Sequence, residues 1–584
     1  MDDIETPAGL SGNAAPAWGS DTMAQAVRNL GYKYVALNPG ASFRGFHDSL
    51  VNFLGNRDPQ MILCLHEDHA MAIAHGYAKA AGEPMAVVLH SNVGLMHGSM
   101  GIFNAFCDRV PVMVFGATGP VDAAKRRPWI DWIHTAQDQG ALVRNFIKWD
   151  DQPASVEAAV ESIYRANQIA QTQPQGPVYV CLDADLQEQK LAAPVVPPEA
   201  HRFAAGDAPR PSDDSLRAAL ALLEGARRPA ILSGRFARTQ AAWDARVALA
   251  EKLGAVVFTD FKAGATFPTN HPQHGGSIQF LSDDQKEALR ACDVILSLDW
   301  IDLAGTLGQA WPDKDVSASV IQAGIDQYVH NGWSMDHQGL PPVDVMLLSP
   351  PDEAVPLLTA GLSSVKVPVI EAEHLAPGDP ATEGKLTLDH VADALKKTVG
   401  DNPVSLVRLP GGWPGARWPF TGPQDFYGYD GGGGIGSGPG MAIGTALALR
   451  DSGRLAVAVI GDGDFLMGVN AFWTAAHYKI PLLTIVANNQ SYFNDEMHQD
   501  RVARARSRNP DNRWIGQKIT DPDPDLAKLA EAQGLTGIGP VETAGELAEA
   551  ITEGVAVLRD GGACVIDVRV GPRGATAATM IGRR

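Results

Sequence analysis

The sequence predicts an α/β protein made of three doubly wound parallel-sheet domains. The chain has 584 residues, too many for one hydrophobic core, since domains usually hold about 100–200 residues. Short apolar runs, such as residues 112–115 and 178–182, alternate with Ala-rich stretches along the chain. Runs that are apolar at successive positions suit strands buried on both faces of a parallel sheet, and their alternation with helices indicates an α/β fold.

Two Pro-rich stretches divide the chain into blocks of similar size. They lie at residues 191–211 and at about 339–380, and their composition is typical of linkers. The predicted domains are therefore residues 15–190, 205–345 and 385–575.

Composition and charge exclude several classes of protein. The net charge of −20 argues against a nucleic-acid partner or an anionic membrane, because both need a basic surface. The sequence has no run of about 18 apolar residues, so no membrane span is predicted. The five cysteines are odd in number and far apart, which fits neither a disulfide framework nor a zinc motif. The start of the chain does not have the pattern of a signal peptide, so we expect a cytoplasmic protein with reduced thiols.

Polar residues follow two strand-like runs in the C-terminal block. Residues 455–460 lead into a Gly-Asp-Gly-Asp segment that contains Asp462, and residues 481–487 lead into Asn489. A helix-like stretch, residues 465–478, joins the two runs, so both polar residues fall at carboxyl ends of parallel strands, where ligands bind. A carboxylate and an amide oxygen suit Mg²⁺ with a diphosphate, and the glycines let backbone N–H groups approach phosphates.

Glu67 takes a comparable position in the N-terminal block. It follows the strand-like run 61–65 and precedes a helix-like stretch at residues 70–81. An acidic residue at this point can be an ordinary helix N-terminal charge that the helix dipole favours. It can also be a buried acid that donates and accepts protons during catalysis.

The C-terminal pattern of strand, Gly-Asp-Gly, helix, strand and Asn-Asn resembles the thiamine-diphosphate (ThDP) motif of the superfamily of acetolactate synthase, pyruvate decarboxylase and benzoylformate decarboxylase. Asn489 lies 27 positions after Asp462, as that motif requires. The resemblance implies that the side chains of Asp462 and Asn489 and the backbone carbonyl of Ser491 bind Mg²⁺. It also implies that Glu67 shares a proton with N1′ of the cofactor, which favours loss of the cofactor's C2 proton.

The same resemblance implies further cofactor contacts. Ile435 stands in the glycine-rich stretch 431–440, where the family has a bulky apolar residue that keeps the cofactor bent, although an ordinary core role is the alternative. The full set of implied contacts is Glu67, Gly411, Gly412, Gly433, Ile435, Gly461, Asp462, Gly463, Asp464, Asn489, Ser491 and Tyr492.

The N-terminal block is most similar to benzoylformate decarboxylase. This similarity implies that His90 relays a proton and that the substrate pocket is formed by Gly40, Ala41, Ser42, His90 and Ser91. Ala41 stands where the family has a serine, and there is no histidine near residues 301–305, so the substrate stays open. Asp495 and Glu496 follow the Asn-Asn motif. Either carboxyl could protonate the product, or both could be ordinary surface residues.

The predicted activity is that of a 2-oxo acid decarboxylase that can also ligate aldehydes, with ThDP and Mg²⁺ as cofactors and a small 2-oxo acid or aldehyde as substrate. Three alternatives remain: an acetolactate-synthase-like carboligase, a 2-hydroxyacyl-CoA lyase whose residues 125–127 (Lys-Arg-Arg) meet CoA phosphates, and a non-catalytic ThDP-binding protein. Residues 299–303 lack the basic groups of the acetolactate synthase flavin segment, so no FAD is predicted. In the family the active site lies between subunits, which implies at least a homodimer, with a homotetramer expected.

Overall fold

The structure is a computed structural model that describes residues 4–9, 15–313, 315–328, 339–363, 366, 378, 380, 384–429 and 431–571. The last positions of the predicted C-terminal block, residues 572–575, lie outside the described residues, as do residues 364–365, 367–377 and 379 of the second Pro-rich stretch. The earlier part of that stretch forms a strand, Val345–Leu348, and a helix, Pro351–Gly361. Three parallel sheets follow one another along the chain.

The first sheet has six strands in the order β2-β1-β3-β4-β6-β5, all pairs being parallel. Strands β3 and β4 are buried along their whole length, as expected for a sheet covered on both faces. The strands are β1 Tyr34–Leu37, β2 Gln60–Leu63, β3 Met85–Leu89, β4 Val112–Thr118, β5 Asp150–Asp151 and β6 Val178–Asp183. The helices are α1 Gly19–Asn29, α2 Arg44–Asp48, α3 Glu67–Ala81, α4 Ser91–Asp108, α5 Ile130–Ile133, α6 Val156–Gln171 and α7 Ala184–Glu188.

The second sheet also has six parallel strands, in the order β12-β11-β10-β7-β8-β9. Its strands are β7 Pro229–Ser233, β8 Val256–Asp260, β9 His274–Ile278, β10 Val294–Leu298, β11 Ser319–Gly324 and β12 Val345–Leu348. Its helices are α8 Asp213–Gly225, α9 Gln240–Leu253, α10 Asp283–Arg290, α11 Leu303–Ala310 and α12 Pro351–Gly361.

The third sheet has five parallel strands in the order β13-β14-β15-β17-β16. Its strands are β13 Val404–Arg408, β14 Leu455–Gly461, β15 Leu482–Asn488, β16 Thr536–Val541 and β17 Ala563–Arg569. Its helices are α13 Leu388–Val399, α14 Gly438–Leu449, α15 Asp462–Gly468, α16 Ala471–His477, α17 Phe493–Ala505, α18 Leu526–Ala532 and α19 Ala544–Arg559. Three parallel sheets with helices between their strands confirm the predicted fold class.

Helices α3 and α14 join the first and third sheets through one shared hydrophobic core. Glycines make their close crossing possible: a Cβ at Gly76 would overlap the Met441 carbonyl oxygen, and one at Gly444 would overlap that of Ile73. The Thr445 hydroxyl donates to the Gly76 carbonyl oxygen at 3.1 Å. Because bare backbone meets bare backbone here, the two helices pack as one unit.

A buried ion pair joins the first and second sheets. Arg109, at the end of α4, lies 3.2 Å from both carboxylate oxygens of Asp299, which follows β10, and it also pairs with Asp326. This side chain therefore occupies the carboxyl edge of the second sheet, the edge at which open α/β sheets bind ligands.

Within the part of the chain described above, no helix combines the length and the apolar character that crossing a membrane requires.

Candidate functional site

Three neighbouring strands of the first sheet end at polar residues. β1 lies between β2 and β3. Ser42 follows β1, Glu67 follows β2 and His90 follows β3. Because the carboxyl ends of adjacent parallel strands meet at one edge, all three residues lie on the same side of the sheet.

The α3 helix begins at Glu67 and keeps this carboxyl out of solvent. His66 is the N-cap, and its Nδ1 accepts a hydrogen bond of 3.1 Å from the Asp68 backbone N–H. Glu67 is buried, and its Oε2 lies 3.0 Å from Nδ1 of His97 on α4. A charge that merely complements the helix dipole would lie at the surface, whereas this one is enclosed and has a specific partner.

His90 is held between two other side chains. Its Nδ1 lies 2.9 Å from the Ser42 hydroxyl, which also accepts a bond of 3.2 Å from the Ser91 backbone N–H. The ring of His134 meets that of His90 edge-on, with 4.8 Å between the centroids. Burial lowers the pKa of His90 below its usual value, and His134 acts in the same direction. The neutral imidazole, which can both donate and accept, is therefore favoured at neutral pH.

The turn before Ser42 packs directly on this histidine. A Cβ at Gly40 would overlap the His90 ring, so only glycine permits the observed approach. Ala41 is exposed and Ser42 is buried. The hydroxyl that meets His90 thus comes from the position after Ala41, one step later than the family's serine.

In the third sheet, Asp462 and Asn489 direct oxygen atoms at one backbone N–H. The Ser491 N–H lies 3.0 Å from Asp462 Oδ2 and 3.0 Å from Asn489 Oδ1. Both residues follow paired strands, β14 and β15, so their oxygens lie close together at the carboxyl edge. Such oxygens are the ligands that Mg²⁺ prefers.

The surroundings of Asp462 are suited to a cation. The residue is buried, and burial raises its pKa to about 6, although backbone N–H groups partly oppose this. Among the residues that the structure describes, no basic side chain forms an ion pair with it. Since an unpaired buried carboxylate is costly, this residue set fits a bound divalent ion.

The glycine-rich segment before α14 is held from both sides. Asp464 Oδ1 accepts from the backbone N–H groups of Gly436 at 2.6 Å and Gly438 at 3.2 Å, and Arg408 lies 3.6 Å from its Oδ2. On the other side, Lys79 at the end of α3 donates to the Tyr429 carbonyl oxygen at 2.6 Å. These contacts hold the segment in place between α3 and Asp464.

Several implied cofactor contacts lie on this edge as well. Gly433 and Gly436 have φ values of +67° and +99°, which glycine adopts without strain. Ile435 is 43% exposed, so it is not an ordinary core residue in the single chain. The Tyr492 ring packs on Gly463, where a Cβ would lie 2.5 Å from it. Gly411 and Gly412 follow β13, and Gly461 is the last residue of β14.

The two carboxyls after the Asn-Asn motif differ in their surroundings. Glu496 is buried and accepts a hydrogen bond from the Ser491 hydroxyl, while Arg513 Nε lies 3.6 Å from its other oxygen. Asp495 is exposed. A cavity of about 340 Å³ lies beside Glu496, lined in part by Asn489, Ser491 and Lys518.

The predicted residues form two groups in the single chain. One surrounds Glu67 and His90 on the first sheet, and the other surrounds Asp462 and Asn489 on the third. No hydrogen bond or ion pair between described residues joins Glu67 to the second group.

The basic triplet considered for CoA is engaged with the protein itself. Lys125 pairs with Asp185 at 2.6 Å, Arg126 donates to two backbone carbonyls, and Arg127 pairs with Asp131 at 2.7 Å.

The sequence reasoning missed His97, the partner of Glu67. A signal for it exists in the glycines of α4: Gly94, Gly98 and Gly101 lie at helical spacing, which marks the face that packs closely. His97 stands three positions after Gly94 and lies at the exposed edge of that face.

Comparison with known proteins adds family matches in all three parts of the chain. Residues 17–142 match the family model described as the N-terminal TPP binding domain of thiamine pyrophosphate enzymes. Residues 216–331 match the central domain of these enzymes, and residues 411–568 match their C-terminal TPP binding domain.

Curated relatives include decarboxylases and synthases. The chain is 27% identical over 445 residues to the probable 2-ketoarginine decarboxylase of Pseudomonas aeruginosa, covering 74% of this chain and 75% of that protein. It is 25% identical over 540 residues to the acetolactate synthase large subunit of Lactococcus lactis, covering 89% and 88% of the two chains.

Among solved structures, the benzoylformate decarboxylase of Polynucleobacter necessarius superposes with a TM-score of 0.80 at 22% identity, covering 95% of this chain and 99% of that one. At this identity the likeness supports the shared three-domain fold.

Proposed function

We propose that this chain, which belongs to the thiamine pyrophosphate enzyme family, is a 2-oxo acid decarboxylase that also ligates aldehydes. The chain is a ThDP-dependent enzyme of the lyase and carboligase type, like its relatives. The observation that carries the proposal is the convergence of Asp462 and Asn489 on the Ser491 N–H, together with the buried acid Glu67.

The Mg²⁺ and diphosphate site of this proposal lies on the third sheet. The side chains of Asp462 and Asn489 and the carbonyl of Ser491 would hold the metal ion, whose charge compensates the buried carboxylate. The glycine-rich segment would offer backbone N–H groups to the phosphates at the start of α14. Asp464 fixes this segment through Gly436 and Gly438.

The proton chemistry of the proposal belongs to the first sheet. Bound ThDP supplies an electron sink for the bond that breaks next to the substrate carbonyl. Glu67 would hold a proton at one carboxyl oxygen and share it with the cofactor's aminopyrimidine. His90, neutral and bonded to Ser42, would move a proton at its ring nitrogen near the substrate, in a pocket bounded by Gly40, Ala41 and Ser91.

The two carboxyls on α17 receive different roles. Glu496 would keep Ser491 in position for the metal, because it accepts a hydrogen bond from the Ser491 hydroxyl. Asp495 is exposed to solvent in the single chain. It would donate the proton that the product needs after CO₂ leaves.

A complete active site in this proposal needs two chains. Glu67 of one chain would meet the Asp462 group of its partner, and at least a homodimer would form, with a homotetramer as the expected assembly. The exposed apolar residues near both groups, such as Met96, Met100 and Ile435, support a surface that another chain covers.

A carboligase that makes acetolactate-like products is the second candidate, because the acetolactate synthase relative matches most of the chain. The 2-hydroxyacyl-CoA lyase has less support, since its basic triplet pairs with Asp185 and Asp131. We further propose that the protein holds no FAD, because residues 299–303 offer no basic group. Arg109 at the same edge is already paired with Asp299 and Asp326. A cytoplasmic location stays a prediction of the sequence.

The test is to incubate the purified protein with ThDP and Mg²⁺ and to measure CO₂ from a panel of 2-oxo acids, with Glu67→Gln as the matched variant. CO₂ with free aldehyde supports the decarboxylase, and CO₂ without aldehyde supports the carboligase. The glutamine variant should bind ThDP but turn over at least about 100-fold more slowly. A protein that binds ThDP yet acts on no 2-oxo acid, and instead cleaves a 2-hydroxyacyl-CoA, would contradict the proposal.

A further inference from the structure

The α4 helix directs one polar side chain at Glu67, and we infer that this residue, His97, positions the Glu67 carboxylate for the cofactor. The inference rests on the proposed function of Glu67. His97 Nδ1 lies 3.0 Å from Glu67 Oε2. Among the described side chains, it is the one that bonds to this carboxylate.

The close approach of α4 to Glu67 depends on glycine. A Cβ at Gly94 would lie 3.1 Å from Glu67 Oε1, and a Cβ at Gly101 would lie 2.5 Å from Met71 Cβ on α3. Gly94 and Gly101 lie on the face of α4 that packs against α3, so bare backbone allows contact at a distance that larger residues would prevent. His97 lies at the solvent-exposed edge of that face, and from there its imidazole reaches the buried carboxylate.

The two oxygens of Glu67 have different surroundings. Oε2 faces His97, while Oε1 faces Gly94, which has no side chain. An unprotonated carboxyl oxygen only accepts hydrogen bonds, so when Glu67 holds the shared proton on Oε1, Nδ1 of His97 donates to Oε2. A donor fixed on Oε2 leaves Oε1 as the oxygen that can share a proton with the cofactor. His97 therefore acts through Glu67, as a positioning residue.

A metal ion shared by this cluster is the competing explanation. His66, Glu67 and His97 each have a possible ligand atom within 4.8 Å of the others, and they form the one such group among the described residues. However, the rings of His66 and His97 are stacked, with 4.9 Å between centroids and 23° between planes. An imidazole lone pair lies in the ring plane, so one ion would have to lie in two nearly parallel planes. Moreover, His66 Nδ1 is already bonded to the Asp68 N–H.

The experiment compares His97→Leu with His97→Asn. For each variant, the Kd of ThDP is measured in the presence of Mg²⁺, and the rate of hydrogen–deuterium exchange at C2 of bound ThDP is measured without substrate by acid quench and NMR. We expect His97→Leu to slow the exchange roughly tenfold or more with little change in Kd, because it removes a hydrogen bond to a charged group. His97→Asn should restore most of the rate, because its amide can donate to the same oxygen.

The control is His201→Leu, which removes another histidine beside a glutamate, Glu199, at the surface; its exchange rate should equal that of the unmodified protein. In a Glu67→Gln background, His97→Leu should cause no further slowing, because its effect passes through Glu67. Wild-type exchange in His97→Leu, equal slowing in the asparagine variant, or further slowing in the double variant would each overturn the inference. If C2 of ThDP bound to Glu67→Gln exchanged at the normal rate, the proposed role of Glu67 would fail. The single Glu67→Gln variant thus tests the proposed function independently of His97.

Discussion

Among the described residues, the partners that meet the Asp462 carboxylate are backbone N–H groups. We expect Asp462→Ala to weaken Mg²⁺-dependent ThDP binding by roughly 100-fold or more, because the proposed metal ligand and its charge are both lost. Quenching of tryptophan fluorescence by ThDP measures the affinity. Asp525→Ala, which removes an exposed N-cap of α18, serves as the control and should bind ThDP normally.

Glu496 and Asp495 are neighbours in sequence but differ in burial, and this difference is testable. Glu496→Gln should weaken ThDP binding, because the Ser491 hydroxyl and Arg513 lose their charged partner. Asp495→Asn should keep the affinity and lower the rate of aldehyde release by roughly 10- to 100-fold, the usual contribution of a general acid being at least this large. Equal effects of the two variants on affinity would contradict the separate roles.

We expect His69, on the buried side of α3, to make the apoprotein sensitive to acid. Burial lowers its pKa from 6.5 to about 4, and the neighbouring His66 acts in the same direction. Between pH 6.5 and about pH 4, His69 is protonated in the unfolded chain and neutral in the folded chain. The free energy of unfolding therefore decreases as the pH falls through this range. The full effect is up to about 3 kcal/mol. The melting temperature of His69→Asn should decrease less than that of the unmodified protein between about pH 7 and about pH 4.5. An equal decrease would show that other groups control the stability in this pH range.

At the scale of single residues, sequence reasoning reached the side chains that belong to local motifs. Asp462 and Glu67 stand directly after strand-like runs, so their position at a sheet edge follows from the chain itself. His97 and Arg408 were not reached, because their partners Glu67 and Asp464 are distant in sequence. Such contacts depend on the rotation and packing of whole helices, which spacing alone does not determine.

Among the elements, α3 and α14 have the closest packing that involves the site. Gly444→Ala should destabilise the protein by about 1–3 kcal/mol, because its Cβ would overlap the Ile73 carbonyl and the rigid backbone must move. The matched control is Gly308→Ala in α11, where nothing lies within 4 Å of the added Cβ. That change should be neutral or stabilising by up to about 1 kcal/mol. Thermal unfolding checks both, and a Gly444→Ala variant as stable as the control would show that the helices can separate freely.

Element boundaries show where patterns are insufficient. One helix was predicted over residues 465–478, but the structure has two, α15 and α16, which end and begin around Val469 and Asn470. At the end of α15, a Cβ at Gly468 would overlap the Gly436 carbonyl oxygen, so this segment packs against the glycine-rich segment. Apolar periodicity predicted the helical character correctly but cannot detect a break that depends on tertiary contact.

For the whole molecule, a test of subunit complementation decides whether the site lies between chains. Glu67→Gln and Asp462→Ala homodimers should each be nearly inactive. After mixing and subunit exchange, each mixed dimer has one site with both residues intact, so activity should return to roughly a quarter of the unmodified level if half of the dimers are mixed. A mixture that stays inactive, although mass spectrometry detects mixed dimers, would place the complete site within one chain.

The three-domain organisation was predictable because it depends on composition, linkers and repeated alternation of elements. The packing between domains was not. Arg109 and Asp299 lie 190 positions apart, and nothing in either local sequence indicates that they meet. The same limit applies to the substrate, whose pocket draws on side chains from separate segments.

The α3 helix has a consequence for how two catalytic centres would communicate. Its first residue is Glu67, and Lys79 near its other end bonds to the Tyr429 carbonyl, just before the glycine-rich segment. A helix of this length is a stiff rod of about 20 Å. If each centre is shared by two chains, the rod's two ends serve different centres. A shift of the glycine-rich segment in one centre would then be transmitted to the acid of the other, so the two centres would be mechanically coupled.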